Sequence, residues 1–346
     1  MFSKNLELYR KANGYSQRAL AQYLNISHTT ISKFEKGDLF PNGEILVKIA
    51  KILNVKTYDL MKKYNDNFEI KIPYFRKKKI SEVKLEYLLK KIRLEIQDFL
   101  YLDNLDKREK EIFNYTQYSW HNSSDYEASV KFVKKQLSLH FEEPVYDLTY
   151  HLENNGFVIL QSKYPNYFDG AITYVEGYNN PFIIINDLLP ADRHRFTITH
   201  ELGHHFINFD EVSYTEKEQE KSINMFSSAF LLPDNDMKAI FGKKRTRISL
   251  AELGIVKKKY KTSLQSIVMR IHDLDIISKD YKSDLFKYFS FRKIRTNEPY
   301  SFSKEEPTKK ISLVYYLYLS DILSLNRAAE SLHIPVEEIQ ESSILT

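Results

Sequence analysis

The chain has 346 residues, 42% hydrophobic and 28% charged, which allows two or three domains of ordinary soluble composition. No apolar run approaches the roughly 20 residues that a membrane span needs, and the N-terminus lacks the apolar core and small-residue cleavage site of a signal peptide, so a cytoplasmic location without membrane partners is expected. There are no cysteines, which excludes disulfides and thiolate metal sites and leaves His, Asp and Glu to hold any metal.

The net charge of +5 is unevenly spread. Residues 1–62 hold ten Lys/Arg against five Asp/Glu, and the remaining residues hold 41 of each. The surplus that attracts a polyanion therefore lies in the first segment, and nucleic acid is the polyanion that would use it. That segment predicts five short helices. The first runs over 3–13, with Ser3 as its cap and Leu6, Tyr9 and Ala12 at helical spacing. The second, capped by Ser16, runs to Leu24 and buries Ala19, Leu20 and Leu24. Asn25-Ile26 makes a tight turn, and Ser27 caps a third helix over about 28–36 in which Ile31 and Phe34 face inward. Gly37 stops it. Two further helices follow, over about 43–53 and 57–63.

The pattern Ser16-Gln17…Leu20-Ala21…Leu24…Ile26-Ser27…Thr30-Ile31-Ser32…Phe34-Glu35-Lys36-Gly37…Pro41 resembles the lambda-repressor/Cro type of helix-turn-helix domain, the XRE family, over residues 5–62. The resemblance implies that the second helix of the motif enters the major groove of a double-stranded operator. Gln17, Ser27, His28, Thr29, Ser32 and Lys33 would then face DNA.

Residues 64–80 break the helical pattern and end in the basic run Arg76-Lys77-Lys78-Lys79, expected to be a solvated linker. From about 81 to 142 the chain is strongly helical. Val83, Tyr87, Leu88, Ile92, Ile96 and Phe99-Leu100 recur at three- and four-residue steps, and a second helix over about 125–140 carries Ala128, Phe132, Val133 and Leu137. Trp120 is expected to be a packing residue. Three short β-branched runs follow, at 158–160, 171–174 and 182–185, and predict a three-stranded sheet.

Pro190 precedes a predicted helix over about 191–206 that contains His200-Glu201-Leu202-Gly203-His204. Residues four apart share a helix face, so His200 and His204 can reach one ion, while Glu201 lies beside it as a general base. Gly203 leaves room for a close neighbour, and His205 projects about 100° away from His204. Zinc needs a third protein ligand and an open position for water. The predicted helix over 216–232 offers Glu216, Glu218 and Glu220, of which Glu220 shares a stripe with Ile223, Ser227 and Phe230.

The stretch from about 156 to 233 resembles the ImmA/IrrE metallopeptidases. It does so through Phe168-Asp169-Gly170, Ile183-Ile184-Ile185-Asn186, Arg193-x-Arg195-Phe196-Thr197-Ile198-Thr199-His200-Glu201-Leu202-Gly203-His204 and Glu220-x-x-x-Asn224-x-Phe226-Ser227-Ser228-x-x-Leu231-Leu232-Pro233. Weaker similarity continues through 248–277. Ile223, Ser227 and Ser228 stand where family members often carry alanine. The resemblance implies His200, His204 and Glu220 as metal ligands, Glu201 as the catalytic residue, and zinc as the metal. Manganese or iron also suits the donor set chemically.

The expected architecture is multidomain and mainly α: a five-helix helix-turn-helix domain (1–64), a linker and helical scaffold (65–145), an α+β zincin-like peptidase domain with a small sheet (146–295), and a polar linker with a short helical tail (296–346). Leu313, Tyr316, Leu317, Leu319, Ile322 and Leu323 form the apolar face of that tail, through which the chain could form a homodimer. The expected function is a DNA-binding regulator with a zinc endopeptidase that cleaves a repressor or the chain itself, its substrate pairing with the 171–174 or 182–186 strand. The alternative is a transcription factor whose metal domain senses a ligand or metal without proteolysis. A purely structural zinc site is disfavoured, because three ligands leave a position open.

Overall fold

The computed structural model describes residues 1–55, 57–61, 70–71, 80–122, 125–141, 143–209, 214–295 and 297–343. Its contacts gather the chain into two compact units, Met1–Glu69 with Arg76–Asp98 and Ile70–Phe75 with Phe99–Thr346. The described residues of the expected scaffold beyond Asp98, and those of the tail, belong to the same unit as the expected peptidase domain. The basic run Arg76–Lys79 lies outside the described residues.

The first unit opens with α1 (Phe2–Ala12), α2 (Gln17–Leu24), α3 (His28–Lys36), α4 (Gly43–Ile52) and α5 (Thr57–Met61). Ser16 and Ser27 cap α2 and α3, accepting the N–H groups of Ala19 and Thr30. Asn25 takes the left-handed conformation at the turn, and Gly37 does so at the end of α3, with φ of 84°. Ser3 does not cap α1, which starts at Phe2 behind Met1 with no side-chain cap. Leu6, Tyr9, Leu20, Leu24, Ile31, Phe34, Ile49, Leu53 and Leu60 make one buried cluster. Arg10 on α1 ties to Glu35 on α3, with Nη2 donating to Oε2 at 3.0 Å.

The second unit starts at the two-residue β1 (Ile70–Lys71). The long α6 (Glu82–Leu105) has its residues to Asp98 in the first unit and the rest in the second. Then come β2 (Tyr118–Trp120), α7 (Tyr126–Gln136), α8 (Leu148–Asn154), β3 (Val158–Ser162), β4 (Gly170–Val175), β5 (Tyr178–Asn186), α9 (Ala191–Phe206), β6 (Ile207–Phe209) and α10 (Glu216–Leu231). The chain continues through α11 (Asp234–Phe241), α12 (Leu250–Tyr260), α13 (Leu264–Asp273), α14 (Lys279–Phe291), α15 (Lys309–Leu319), α16 (Leu325–Leu332) and α17 (Val336–Ser343).

The sheet has four strands rather than three, in the order β1-β4-β5-β3, with β3 parallel and β4 antiparallel to β5. The extra strand comes from the stretch expected to be a linker. The inner strand β5 reads Phe182-Ile183-Ile184-Ile185, and all four residues are buried, as a strand covered on both faces requires. Because β5 is paired on both sides, the 182–186 strand cannot accept an extended substrate. A second, two-stranded sheet pairs β2 with β6 in parallel. These three-residue strands are too short to leave a period-2 signal. Trp120 is buried on β2 against Phe209, a packing role.

Two details of the expected apolar faces change. Ala128 is exposed on α7, and Val130 takes its place in the core beside Val133 and Leu137. Leu319 and Ile322 are exposed, while Leu313, Val314, Leu317 and Leu323 are buried. The polar linker expected over 297–310 is pinned down, and its last two residues, Lys309 and Lys310, already belong to α15. Glu298 pairs with Lys257 (2.6 Å), Lys304 with Asp187 (2.8 Å), and the buried Glu305 with the buried Arg195 of α9. A polar stretch reads as a linker only until its buried partners are visible.

Candidate functional site

Helix α9 starts behind Pro190, an N-cap residue in extended conformation without a side-chain cap, and runs to Phe206, where Ile207 turns to extended backbone and enters β6. Its second half is buried although half its residues are polar. A polar helix can be buried only if its side chains find partners, and α9 finds them on α10 and β4.

Helix α10 begins at a reciprocal cap: the Thr215 side chain meets the Glu218 N–H, and the Glu218 side chain accepts the Thr215 N–H. This start uses Glu218 at the helix end and leaves Glu220 half-buried in the next turn. The two helices approach closely at Gly203, where a Cβ would lie 3.0 Å from both Ile223 and Phe226.

The crossing brings His200, His204 and Glu220 together. Nε2 of His200 and Nε2 of His204 are 3.1 Å apart, and the Glu220 carboxylate oxygens lie 3.4 Å and 3.3 Å from them respectively. Four tetrahedral ligands at about 2.0–2.1 Å from zinc stand roughly 3.3 Å from one another, so the spacing suits one such ion between three donors. The chemistry fits as well: two imidazoles and one carboxylate form a borderline-soft set with no thiolate. Among the described residues this is the group of His, Asp and Glu side chains close enough to share an ion.

The neighbouring groups were not legible as site residues. Nδ1 of His200 is 3.2 Å from Oδ1 of Asn224, so its N–H donates there and Nε2 is left with a free lone pair. The sequence placed Asn224 in the family pattern without giving it a role. Glu201 is buried next to His200, and its Oε2 accepts the N–H of Ile172 at 2.9 Å. A backbone donor on a strand leaves no mark in the sequence. His205 points elsewhere: it is ringed by Tyr115, Phe157, Tyr174 and Phe206, with Nδ1 2.8 Å from the Tyr174 hydroxyl. Burial pulls its pKa down to about 4, so it stays a neutral packing group.

In the first unit, His28, Thr29 and Lys33 are exposed on α3 and Ser32 is half-buried. The Ser27 hydroxyl caps the helix and also meets the Thr29 hydroxyl at 2.6 Å. Gln17 is engaged by its own fold, donating through Nε2 to Glu35 at 2.7 Å. It keeps its amide oxygen for other partners.

Residues 6–60 match the helix-turn-helix family and residues 155–272 match the IrrE N-terminal-like domain family. Among curated proteins, the chain is 34% identical over 70 residues to the SPbeta prophage-derived uncharacterized HTH-type transcriptional regulator YonR of Bacillus subtilis, covering 20% of this chain and 65% of that protein. It is 41% identical over 59 residues to the HTH-type transcriptional regulator DicA of Escherichia coli, covering 15% and 44%. The match thus spans less than two thirds of either relative. The structure of Bacillus thuringiensis PlcR in complex with the peptide PapR7 and DNA aligns over 99% of this chain and 91% of that one, at 12% identity. Its TM-score of 0.20 is too low to carry an argument. No described helix is long and apolar enough to cross a membrane. The chain joins a helix-turn-helix domain of the XRE type to a domain of the IrrE/ImmA metallopeptidase-type family.

Proposed function

We propose that this protein is a DNA-binding transcriptional regulator whose second unit is a zinc-dependent endopeptidase acting on a repressor or on the chain itself. The observation that carries the reading is the meeting of His200, His204 and Glu220 at tetrahedral spacing beside the buried Glu201. His200, His204 and Glu220 would hold the ion, which when bound polarises a scissile carbonyl and acidifies water. Glu201 supplies the base that takes a proton from the attacking water and passes it to the leaving amine. Asn224 orients His200. Mn2+ or Fe2+ would fit the same donors. The DNA side rests on the helix-turn-helix match, on relatives named as transcriptional regulators, and on the exposed His28, Thr29 and Lys33 of α3. Ser27, Ser32 and Gln17 complete the proposed DNA-facing set. A homodimer through the tail would use the exposed Leu319 and Ile322.

The test is a promoter reporter in cells carrying Glu201→Gln or Lys33→Ala, with DNA binding measured on the purified chains. A proteolytic regulator loses its response in Glu201→Gln while that variant still binds DNA, and Lys33→Ala loses DNA binding. A full response from Glu201→Gln would rule out proteolysis and leave a domain that senses a ligand or metal.

A further inference from the structure

The loop between α11 and α12 reads Gly242-Lys243-Lys244-Arg245-Thr246-Arg247-Ile248, a run of cations with no acid among them. A basic run alone marks a surface for any polyanion. Here Lys244, Arg245 and Arg247 line a cavity of about 1020 Å³, which the loop shares with the turn between α13 and α14 and with the first turn of α14.

The loop is held at both ends of the run. The Arg245 N–H donates to the Ile276 carbonyl at 2.7 Å, and its Nη2 donates to Oε1 of Glu252 at 2.7 Å. The Tyr281 hydroxyl accepts the Ile248 N–H at 2.8 Å. A ligand therefore need not order this backbone when it binds. Arg245 has its carboxylate in Glu252, but the exposed Lys244, Arg247 and Lys279 have no acidic partner among the described residues. Like charges gathered at one concavity raise its potential, because low-dielectric walls focus the field. Ser278, which caps α14, and Lys279 also line the cavity, so the positive end of that helix adds to the field.

The rest of the wall selects among anions. Asp275 is the one carboxylate of the lining, and next to it the buried Ile276 and Ile277 supply an apolar surface. Inorganic phosphate would use the cations and meet only repulsion from Asp275. A nucleoside polyphosphate uses all three parts: its phosphates pair with Lys244, Arg247 and Lys279, a ribose hydroxyl or base amino group donates to Asp275, and the base packs on the isoleucines. Small-molecule sites span about 300–1,000 Å³, and this cavity matches the upper end of that range. A nucleic-acid duplex is too broad to enter it and would meet only the rim.

We propose that this cleft is a binding site for a nucleoside polyphosphate. None of its lining residues belongs to α9 or α10, so the assignment is independent of the peptidase reading of the metal centre.

The test is calorimetric titration of the full-length chain with ATP, GTP and inorganic tripolyphosphate. One of the nucleotides should bind about tenfold or more tighter than tripolyphosphate. Arg247→Ala and Lys279→Ala each remove one cation and should each weaken nucleotide binding about tenfold. Asp275→Ala should narrow the gap between the nucleotide and tripolyphosphate. Lys243→Ala, in the same loop but outside the lining, should change little. All four side chains are exposed, and thermal unfolding verifies that each variant keeps its fold. The assignment is overturned if neither nucleotide binds, or if tripolyphosphate binds as tightly. It is also overturned if Lys243→Ala costs as much as Arg247→Ala, which would mean diffuse attraction to a basic loop. Binding of a random-sequence DNA duplex is measured alongside. A loss there in Arg247→Ala and Lys279→Ala as large as the loss for the nucleotide would make the cleft a DNA contact instead.

Discussion

The backbone N–H of Ile172 on β4 donates to Oε2 of Glu201 on α9, at 2.9 Å and with both residues buried. Ile172 is paired in register with Ile183 of β5, yet its N–H is turned to the other side, towards the motif helix. The edge of β4 next to the site is thus taken at Ile172 by Glu201, and at Tyr174 and Val175 by β1. This relationship makes Glu201 part of the fold as well as of the proposed chemistry. Glu201→Gln keeps an acceptor for Ile172 and should change stability little. Glu201→Ala leaves a buried N–H without a partner and should cost about 1–3 kcal/mol. Urea unfolding of the metal-free proteins separates the two, and equal losses in both variants would show that the bond contributes nothing.

The metal centre gives the next expectation. Wild type purified without added metal should carry about one zinc, and His204→Ala and Glu220→Ala should carry none. Asn224→Ala keeps all three donors but frees the His200 ring, so its zinc affinity should fall about 10–100-fold. Elemental mass spectrometry and competition with a chelator measure both quantities. An Asn224→Ala variant of unchanged affinity would mean that the His200 ring is held by its surroundings and not by the amide.

Gly203 lies at the crossing of α9 and α10. An alanine there gains up to about 1 kcal/mol in helix propensity, yet its Cβ would stand 3.0 Å from the buried side chains of Ile223 and Phe226. Overpacking of this kind costs about 1–3 kcal/mol and pushes apart the helices that carry His200, His204 and Glu220. Gly203→Ala should therefore lower both the melting temperature and the zinc affinity. A more stable variant with unchanged zinc binding would show that the helices yield freely.

What the sequence disclosed follows the range of each interaction. Helix α9 was bounded correctly because Pro190 and the apolar spacing act within a few residues. Glu220 was reached by a stripe on one helix together with the family pattern, and it is found beside the two histidines. Contacts of other kinds left no local trace. The β1 strand has two residues, β2 and β6 have three each, and the donor to Glu201 is a main-chain atom. Glu305 lies 110 residues from Arg195, so a buried ion pair was read as a linker. In the first unit, Ser16, Ser27 and Gly37 each act on the backbone next to them, and for that reason could be placed in advance. Ser3 could not, because a cap is decided by where the helix starts, and α1 starts one residue earlier.

Arg195 and Glu305 have side chains only 2% and 5% exposed. Arg195 also donates to the Val145 carbonyl at 2.6 Å, and Glu305 accepts the Thr149 N–H at 3.2 Å. Removing one partner leaves the other charge buried, a loss of about 3–5 kcal/mol. Glu305→Ala should be destabilised to that degree, and the double variant Arg195→Met with Glu305→Leu should recover much of it. Chemical denaturation of wild type, the single variants Arg195→Met and Glu305→Leu, and the double variant forms a double-mutant cycle. If the double variant lost as much as the sum of both single changes, the pair would not be coupled.

Acid should weaken the fold through His194, in α9 but away from the metal donors. Its Nε2 is 2.9 Å from Oε1 of Gln161, and its Nδ1 is buried with no partner among the described residues. Burial, with the charge of Lys304 adding to it, holds the pKa down to about 4. In the unfolded chain the same imidazole titrates near 6.5. Between those values the unfolded chain binds a proton that the folded chain refuses, so this contribution to stability is complete above about pH 6.5 and is lost as the pH falls towards 4. The ceiling is about 3 kcal/mol. Other groups also titrate in this range, so the comparison is made with His194→Gln, which keeps a polar side chain and cannot ionise. Metal-free wild type and variant are unfolded in urea at pH 7 and pH 4.5. The stability lost between the two should be smaller in the variant, whatever its absolute stability. Equal losses would mean that the folded protein accommodates the imidazolium, by opening the Nδ1 side to water.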